Sequence, residues 1–266
     1  MDDDDIQCGT RNVIDLKATR SNENAFFINP EQKSVLQNIL FIKTANNILR
    51  KYLPTICSRT LEISKDKQTK IYEVIQQTNF ENLNIISSNV DLSGLEVETA
   101  GDNRRAFKLK DELGLILNDS RASYDYILLD CTPSLSLLTI MALVASDALV
   151  VPLQTEFFAL EGLTQLMKTI ERIKTNLNPS LDIRGILLTM YDKRNKLSGE
   201  VETEARNYFK DKVYSTAVPR NVRLSEAPSH GVPVLIYDKA CPGSKAYFSF
   251  TEEFLNQDKP MESSAA

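Results

Sequence analysis

The sequence is poor in the residues from which many catalytic and metal sites are built. Its only histidine is His230, which excludes metal sites with several histidine ligands. A Ser-His-Asp triad would have to use this one residue, which stands in a turn-like Pro-Ser-His-Gly setting. The four cysteines lie far apart and form no Cys-x-x-Cys pair. This spacing indicates neither a disulfide framework nor a zinc site, and it fits a reducing compartment.

Long apolar runs are also missing. The longest mostly apolar stretches, such as Leu135–Ala145 and Ala148–Leu153, are far too short to span a bilayer, and the acidic start Met1–Asp5 is unlike a secretory signal. We therefore expect a cytoplasmic protein that does not contact membranes. The formal charge of -5 argues against a broadly basic nucleic-acid-binding protein, but it leaves room for a local basic patch.

What the sequence does contain is the pattern of an α/β domain. The 266 residues are 42% hydrophobic and 25% charged, an ordinary balance for a globular chain. Apolar segments typical of buried strands alternate with amphipathic segments, which predicts a mostly parallel sheet with helices on both faces. The predicted strands are 83–87, 126–130, 148–153, 183–190, 213–217 and 233–237, and the predicted helices are 104–118, 135–145, 159–177, 199–210 and 244–255.

The two ends of the chain follow other patterns. Between Pro30 and Pro54, apolar residues recur at helical spacing and predict an amphipathic helix over 31–53. These residues are Val35, Ile39, Ile42, Leu49 and Leu53. Residues 257–266 are expected to form a frayed tail.

One acidic residue stands at the end of a predicted strand. In Ile127–Pro133 an apolar run ends at Asp130, which places a carboxylate at the C-terminal edge of a parallel sheet, where α/β folds bind ligands. Such an acid serves a magnesium ion in P-loop proteins, but an aspartate here is often only the cap of the next turn. The strand end alone leaves both interpretations open.

A second segment, Val218–Gly231, follows a short predicted strand and carries two arginines three positions apart, Arg220 and Arg223. Its composition indicates a loop and a helical turn with exposed basic residues. A solvated surface without a ligand explains this pattern as well as a binding site does.

Several stretches occur in one order and spacing: 124–135, Glu156–Leu163, Leu187–Asp192 and Pro219–Gly231, preceded by 71–74, 82–83 and 88–94. Together they resemble the ParA/Soj family of chromosome-partitioning ATPases, of the MinD/ParA class with a deviant Walker A loop. The resemblance covers about residues 70–255. It implies a P-loop NTPase-like α/β domain over 66–256, after a segment 1–65 that shows no such resemblance.

The resemblance implies nucleotide-binding roles. Asp130 looks like the Walker B acid and would serve magnesium indirectly where nucleotide binds, and Thr132 and Pro133 would lie in the adjoining switch segment. The segment on the adenine side of the nucleotide is matched by Pro219, Arg220 and Asn221.

The resemblance also implies partners. Arg194 and Arg223 match arginines that hold the DNA backbone without sequence preference, and Lys193 and Lys196 would widen that basic patch. Further implied partners are a ParB-type protein and a second subunit, either another copy or an intact relative. If DNA binding persists, the chain is expected at the nucleoid.

The family's phosphate loop is absent from the sequence. That loop reads Lys-Gly-Gly-x-Gly-Lys-Thr-Thr, and its amides and lysines close around the phosphates, whereas the only glycines before residue 101 are Gly9 and Gly94. ATP and magnesium are the family's cofactors, but we expect this chain to bind neither. If 1–65 also fails to supply the family's first strand, the sheet is expected to have an exposed edge in its middle.

Two explanations of the N-terminal segment stay open. Either it diverged in a folded relative that no longer binds nucleotide, or a reading-frame disruption replaced a genuine phosphate loop. The abrupt onset of resemblance near Lys65–Ile71 favours disruption, and the periodicity of 31–53 argues against it. The functional alternatives are an active partition ATPase, a nucleotide-independent DNA- or partner-binding module that acts alone or poisons an intact subunit, and a nonfunctional product. The missing loop argues against the first.

Overall fold

A computed structural model describes residues 39–43, for which the backbone alone is given, and 71–78, 80, 82–86, 88, 92, 94–117, 124–131 and 135–257. In these ranges the strands are β1 (Ile39–Lys43), β2 (Gln76–Gln77), β3 (Leu83–Ile86), β4 (Tyr126–Asp130), β5 (Ala148–Gln154), β6 (Asp182–Tyr191) and β7 (Val213–Pro219). The α-helices are α1 (Leu95–Glu98), α2 (Lys108–Leu117), α3 (Leu137–Ala145), α4 (Ala159–Asn176), α5 (Lys196–Phe209), α6 (Val222–Glu226), α7 (Val234–Tyr237) and α8 (Pro242–Asn256). Short 3-10 turns occupy Ile71–Val74, Arg105–Phe107, Lys210–Lys212 and Ala227–His230.

The strands form two sheets that are almost entirely parallel. One has the order β2-β3-β1-β4 and the other the order β5-β6-β7. Only the pair β2–β3 is antiparallel, and the remaining pairs are parallel. The predicted α/β fold with a mostly parallel sheet is confirmed, and the predicted strands and helices from residue 83 onward occur with ends shifted by a few residues, except for the segment 233–237.

Successive residues of the strands pack on opposite faces of the sheets. On β4, Tyr126 and Leu128 pack against the apolar cluster that contains Phe250 and Phe254 of α8, whereas Ile127 packs against the cluster of α2. This alternation is what a strand with both faces buried requires. Helices therefore cover both faces, and in the described part of the chain none of them is long and apolar enough to cross a lipid bilayer.

The N-terminal segment supplies the middle strand of the first sheet. The helix predicted over 31–53 is wrong at Ile39–Lys43, where the backbone forms β1, and the rest of that predicted helix lies outside the described residues. β1 lies between β3 and β4 and pairs with both in parallel. A run of five residues such as Ile-Leu-Phe-Ile-Lys fits a buried strand as well as a turn and a half of helix, and neighbouring strands decide between them. The exposed edge expected in the middle of the sheet is therefore filled.

The strand predicted over 233–237 is also wrong. Pro233 caps the short helix α7, and the Asp238 amide donates to the Val234 carbonyl at 2.8 Å. An apolar run this short carries no periodicity from which strand and helix can be told apart. Of the predicted tail, Gln257 ends α8 and residues 258–266 lie outside the described part.

The free edge of β7 is covered by side chains. The Glu253 carboxylate accepts hydrogen bonds from the Ser215 amide at 2.6 Å and the Thr216 amide at 3.0 Å. On the same strand, Arg206 of α5 donates to the carbonyls of Tyr214 at 3.1 Å and Ser215 at 3.4 Å. These contacts satisfy backbone groups that an edge strand otherwise leaves for another chain to pair with.

One buried amide joins helix α3 to the start of β6. Asn178 is 2% exposed, and its Nδ2 donates to the carbonyls of Leu143 at 3.0 Å and Ser146 at 2.8 Å. Its Oδ1 accepts from the Ser180 hydroxyl at 2.8 Å. The last carbonyls of a helix have no partner within the helix, so Asn178 supplies the partner that α3 needs at its buried end.

We predict that Asn178→Ala destabilises the fold by about 1–3 kcal/mol, because the two carbonyls that it caps would stay buried without a donor. The measurement is urea unfolding followed by circular dichroism. The matched control is Asn176→Ala two residues earlier, where the exposed amide bonds only to Arg172 of its own helix. Equal stability of the two variants would contradict this account of Asn178.

Candidate functional site

The loops that follow β5, β6 and β7 meet at the carboxyl edge of the three-stranded sheet. The three strands are parallel neighbours, so their C-terminal ends lie side by side. Glu156 follows β5, Arg194 follows β6 and Arg223 follows β7. In α/β folds this is the edge at which ligands bind.

Arg220 ties the three loops together. Its amide donates to the carbonyl of Tyr191, the last residue of β6, at 2.9 Å. Its Nη2 donates to Glu156 Oε1 at 3.3 Å, and both side chains are more than half exposed. An exposed ion pair contributes little to stability, so the backbone bond is the firmer link between the loops.

Asn221 starts the helix that carries Arg223. Its Oδ1 accepts from the Arg223 amide at 2.9 Å, which makes Asn221 the N-cap of α6. The Arg223 guanidinium then contacts two carboxylates, with Nη1 at 2.8 Å from Glu226 Oε2 and Nε at 3.5 Å from Asp238 Oδ2. The hydrogen bond and charge of Glu226, and after them the Tyr237 hydroxyl, raise the pKa of Arg223.

A cleft of about 540 Å³ opens between α6 and the start of α8. Its lining contains Arg220 and Asn221 of the predicted adenine-side segment, but Pro219, which ends β7, is not part of it. Cys241 lies at the bottom, 6% exposed, where its Sγ accepts from the Ser244 amide and caps α8. The complete lining is Arg220, Asn221, Val222, Arg223, Asp238, Ala240, Cys241 and Pro242.

The Arg194 guanidinium forms a two-point ion pair with the carboxylate of Asp192, two positions before it. Its Nε lies 3.1 Å from Asp192 Oδ1 and its Nη2 lies 3.0 Å from Asp192 Oδ2. Asp192 Oδ1 also accepts from the Arg194 amide at 3.0 Å. These hydrogen bonds from Arg194 lower the pKa of Asp192 to about 2, so the pair is fully charged at neutral pH. The Arg194 side chain is nevertheless 91% exposed.

The other two predicted patch residues lie beside Arg194. Lys193 is exposed in the same loop, and Lys196 starts α5 with its Nζ 3.7 Å from Glu200 Oε1, one turn further along. The structure thus places Arg194, Lys193 and Lys196 in one loop and Arg223 on the neighbouring one. Since carboxylates accompany these cations, the patch is close to neutral and not strongly basic.

Asp130 ends β4 at the carboxyl edge of the other sheet. It is half-buried and stands in register with Lys43, the last residue of β1. Thr132 and Pro133, the predicted switch residues, lie outside the described part of the chain. No group of three or more histidine, cysteine or acidic side chains that could hold a metal ion occurs among the described residues.

These observations test whether ATP and magnesium fit the site. A planar base has room in the cleft beside Arg220 and Asn221. A phosphate loop needs flexible backbone directly after the central strand, and the sequence has no glycine between the end of β1 at Lys43 and Gly94.

Sequence reasoning missed two acidic residues of this edge. Asp192 could have been found from the sequence, because it stands two positions after the predicted strand 183–190 and two positions before Arg194 of the predicted patch. Asp238 follows α7 and meets Arg223 only through the packing of that helix beside α6. No local sequence pattern predicts the contact between Arg223 and Asp238.

The wall of the cleft depends on a glycine in the first turn of α8. A Cβ on Gly243 would lie 2.7 Å from Leu224 Cγ, and both Cδ atoms of Leu224 would be within 3.0 Å. We predict that Gly243→Ala pushes α6 away from α8 and destabilises the fold by about 1–3 kcal/mol. Chemical denaturation measures the loss of stability.

The control for that substitution is Gly199→Ala in α5, where a Cβ meets nothing within 4 Å. Alanine there should be neutral or stabilise the helix by about 0.5–1 kcal/mol. If Gly243→Ala proved as stable as Gly199→Ala, the close packing of α8 on Leu224 would be refuted.

Comparison with known proteins places the chain in a family. A family model described as an AAA domain matches residues 18–183, so the match begins inside the segment 1–65. The chromosome partitioning protein ParA of Caulobacter vibrioides (strain NA1000 / CB15N) is 46% identical over 221 residues, which cover 79% of this chain and 82% of ParA. The sporulation initiation inhibitor protein Soj of Bacillus subtilis (strain 168) is 46% identical over 183 residues, covering 69% of this chain and 71% of Soj.

A solved structure shares the fold. McdA of Cyanothece, in a complex with ATP, superimposes with a TM-score of 0.71 at 16% identity and covers 95% of this chain and 94% of its own. At that identity the likeness concerns the fold alone. The family model and the two curated relatives show that the chain belongs to the ParA/Soj family of chromosome-partitioning ATPases.

Proposed function

We propose that this chain is a partitioning-family protein that binds DNA without sequence preference and without ATP, and that it neither binds nor hydrolyses the nucleotide. One observation carries the proposal. The central strand β1 is present, but the glycine-rich loop that the family places after its first strand is absent from the sequence. The DNA-side loops after β6 and β7 are present as folded elements.

The loss of the phosphate loop outweighs what is left of the nucleotide site. ATP carries several negative charges, and in this class of protein backbone amides and lysines neutralise them. The cleft beside Arg220 offers contacts to a base. Such contacts supply only a small part of the free energy with which the family binds ATP. Phosphoryl transfer depends almost wholly on positioning and charge stabilisation, so a chain without the loop has no means to accelerate it.

We predict that calorimetric titration with ATP and Mg²⁺ gives no saturable binding at micromolar concentrations and that the purified chain releases no phosphate above background. The Asp130→Ala variant is the matched control, because Asp130 would be the acid near the metal. An active site would lose activity with this substitution, whereas we expect no difference between the two chains. Micromolar binding of ATP would overturn the nucleotide part of the proposal.

The DNA part is supported by the position of the cations. Arg194, Lys193 and Lys196 lie in the loop after β6, and Arg223 lies in the helix after β7. All four are exposed to solvent, as contacts to a phosphate backbone require. Such contacts need positive charge and no base edges, which fits binding without sequence preference.

We predict that the double variant R194A/R223A weakens binding to a random-sequence duplex about tenfold or more and lowers the slope of log K against log salt by about two. Fluorescence anisotropy at about 50–200 mM salt measures both quantities.

The control is K168A/R172A, which removes two exposed cations from α4 at a distance from the carboxyl edge. It changes the net charge equally and is expected to leave the slope unchanged. Equal effects of the two double variants would mean that the carboxyl edge is not the DNA-binding surface.

The remaining proposed partners are those that the family suggests. A ParB-type protein and a second subunit, either another copy or an intact relative, are the proposed protein partners, and a DNA-bound chain would lie at the nucleoid in the cytoplasm. A chain that pairs with an intact relative without binding ATP would poison that relative. Mixing the two chains and measuring the ATPase rate of the intact one tests this role.

A further inference from the structure

We propose that Asp192 and Glu226 set the DNA affinity of this chain, because their carboxylates occupy the two arginines that DNA phosphates must reach. This inference rests on the proposed DNA binding at the carboxyl edge. It adds a regulatory element: the protein supplies its own anionic competitors, so its cations are partly neutralised before DNA arrives.

The contact at Arg194 uses the strongest edge of the guanidinium. A guanidinium carries five N–H donors in a rigid fork, and the Asp192 carboxylate takes the Nε and Nη2 donors at 3.1 and 3.0 Å. This two-point geometry is the one that a phosphate also prefers. A phosphate must therefore displace Asp192 from that edge or accept the remaining donors with a negative charge close behind them.

Asp192 is fixed in place, whereas Arg194 is not. Besides the guanidinium, Asp192 Oδ1 accepts from the Arg194 amide at 3.0 Å, and the aspartate side chain is 24% exposed. The Arg194 side chain is 91% exposed. The carboxylate is thus a stationary competitor, and the arginine is the group that moves from it to a phosphate.

The contact at Arg223 repeats the arrangement on the next loop. Glu226 Oε2 lies 2.8 Å from Arg223 Nη1 and also accepts from the Tyr237 hydroxyl at 3.3 Å. Tyr237 in turn stacks on His230, with ring centroids 4.7 Å apart. Glu226 is therefore held from two sides, and Arg223 is the more exposed partner, with 51% of its side chain exposed against 39% for Glu226.

The pairing extends across the whole carboxyl edge. Arg194, Lys196, Arg220 and Arg223 each have a carboxylate oxygen within 3.7 Å. DNA binding gains affinity by releasing counterions that the phosphates had condensed. Each cation must first leave a carboxylate, and breaking that ion pair offsets part of the free energy gained on binding DNA. The carboxylates left behind also repel the phosphates.

The test is the DNA affinity of Asp192→Asn and Glu226→Gln, measured by anisotropy with a random-sequence duplex and full-length chain. Each amide keeps the shape and one acceptor oxygen but removes the charge. We expect each variant to bind about threefold to fivefold more tightly at low salt, and the double variant to steepen the salt dependence by about one to two. Circular dichroism checks that each variant is folded.

Two controls separate charge at this surface from other effects. Asp182→Asn removes an equal charge and a similar ion pair with Lys212, but it lies at the opposite end of β6, about 30 Å away and several screening lengths distant. Asp192→Glu keeps the charge and changes only the length of the side chain, by one methylene. We expect both controls to match the unmodified chain.

The outcomes separate this inference from the proposed function. If the unmodified chain binds DNA through Arg194 and Arg223 but Asp192→Asn and Glu226→Gln bind equally or more weakly, the carboxylates orient the arginines and this inference is wrong while the function stands. If the R194A/R223A variant binds as well as the unmodified chain, the DNA-binding surface itself is wrong. Gains in both amide variants and in neither control would support the inference.

Discussion

β1 is hydrogen-bonded to β3 on one side and to β4 on the other, and in the described part of the chain these two neighbours pair with no strand of the second sheet. Five residues thus hold the first sheet together. Because all three strands are parallel, the ladder also sets where Asp130 lies, opposite the end of β1 at Lys43. The folded state of the family domain depends on this backbone pairing even where the family's phosphate loop is missing.

The two sheets therefore differ in what they retain. The first sheet has its central strand β1, after which the family places its phosphate loop. The sequence has no glycine-rich loop after that strand. At the second sheet, the loops after β5, β6 and β7 are joined by Arg220 and carry paired cations. The phosphate loop of the family and the charged surface belong to different loops of one scaffold, so the absence of the first from the sequence does not remove the second.

The sequence predicts the second half of the fold well because its strands and helices are long and clearly patterned. Strand β4 and helix α4 follow their apolar patterns closely, since burial on the sheet is what the pattern records. The errors occur at two short apolar runs, 39–43 and 233–237, where the choice between strand and helix is made by tertiary neighbours. Likewise, the positions of the site cations follow from the motifs, and Glu226 stands at helical spacing three positions after Arg223. The contact of Arg223 with Asp238 depends on side-chain packing that no spacing encodes.

The carboxylate of Glu253 along β7 limits how copies of this chain can join. With the Ser215 and Thr216 amides already bonded to Glu253 and the Tyr214 carbonyl bonded to Arg206, a foreign strand finds no open ladder at this border. Continuous sheets running from one molecule to the next are disfavoured there. Any association of copies at this border would then use side-chain contacts, which separate again when charge or solvent conditions change, and not backbone pairing of the kind that builds fibres.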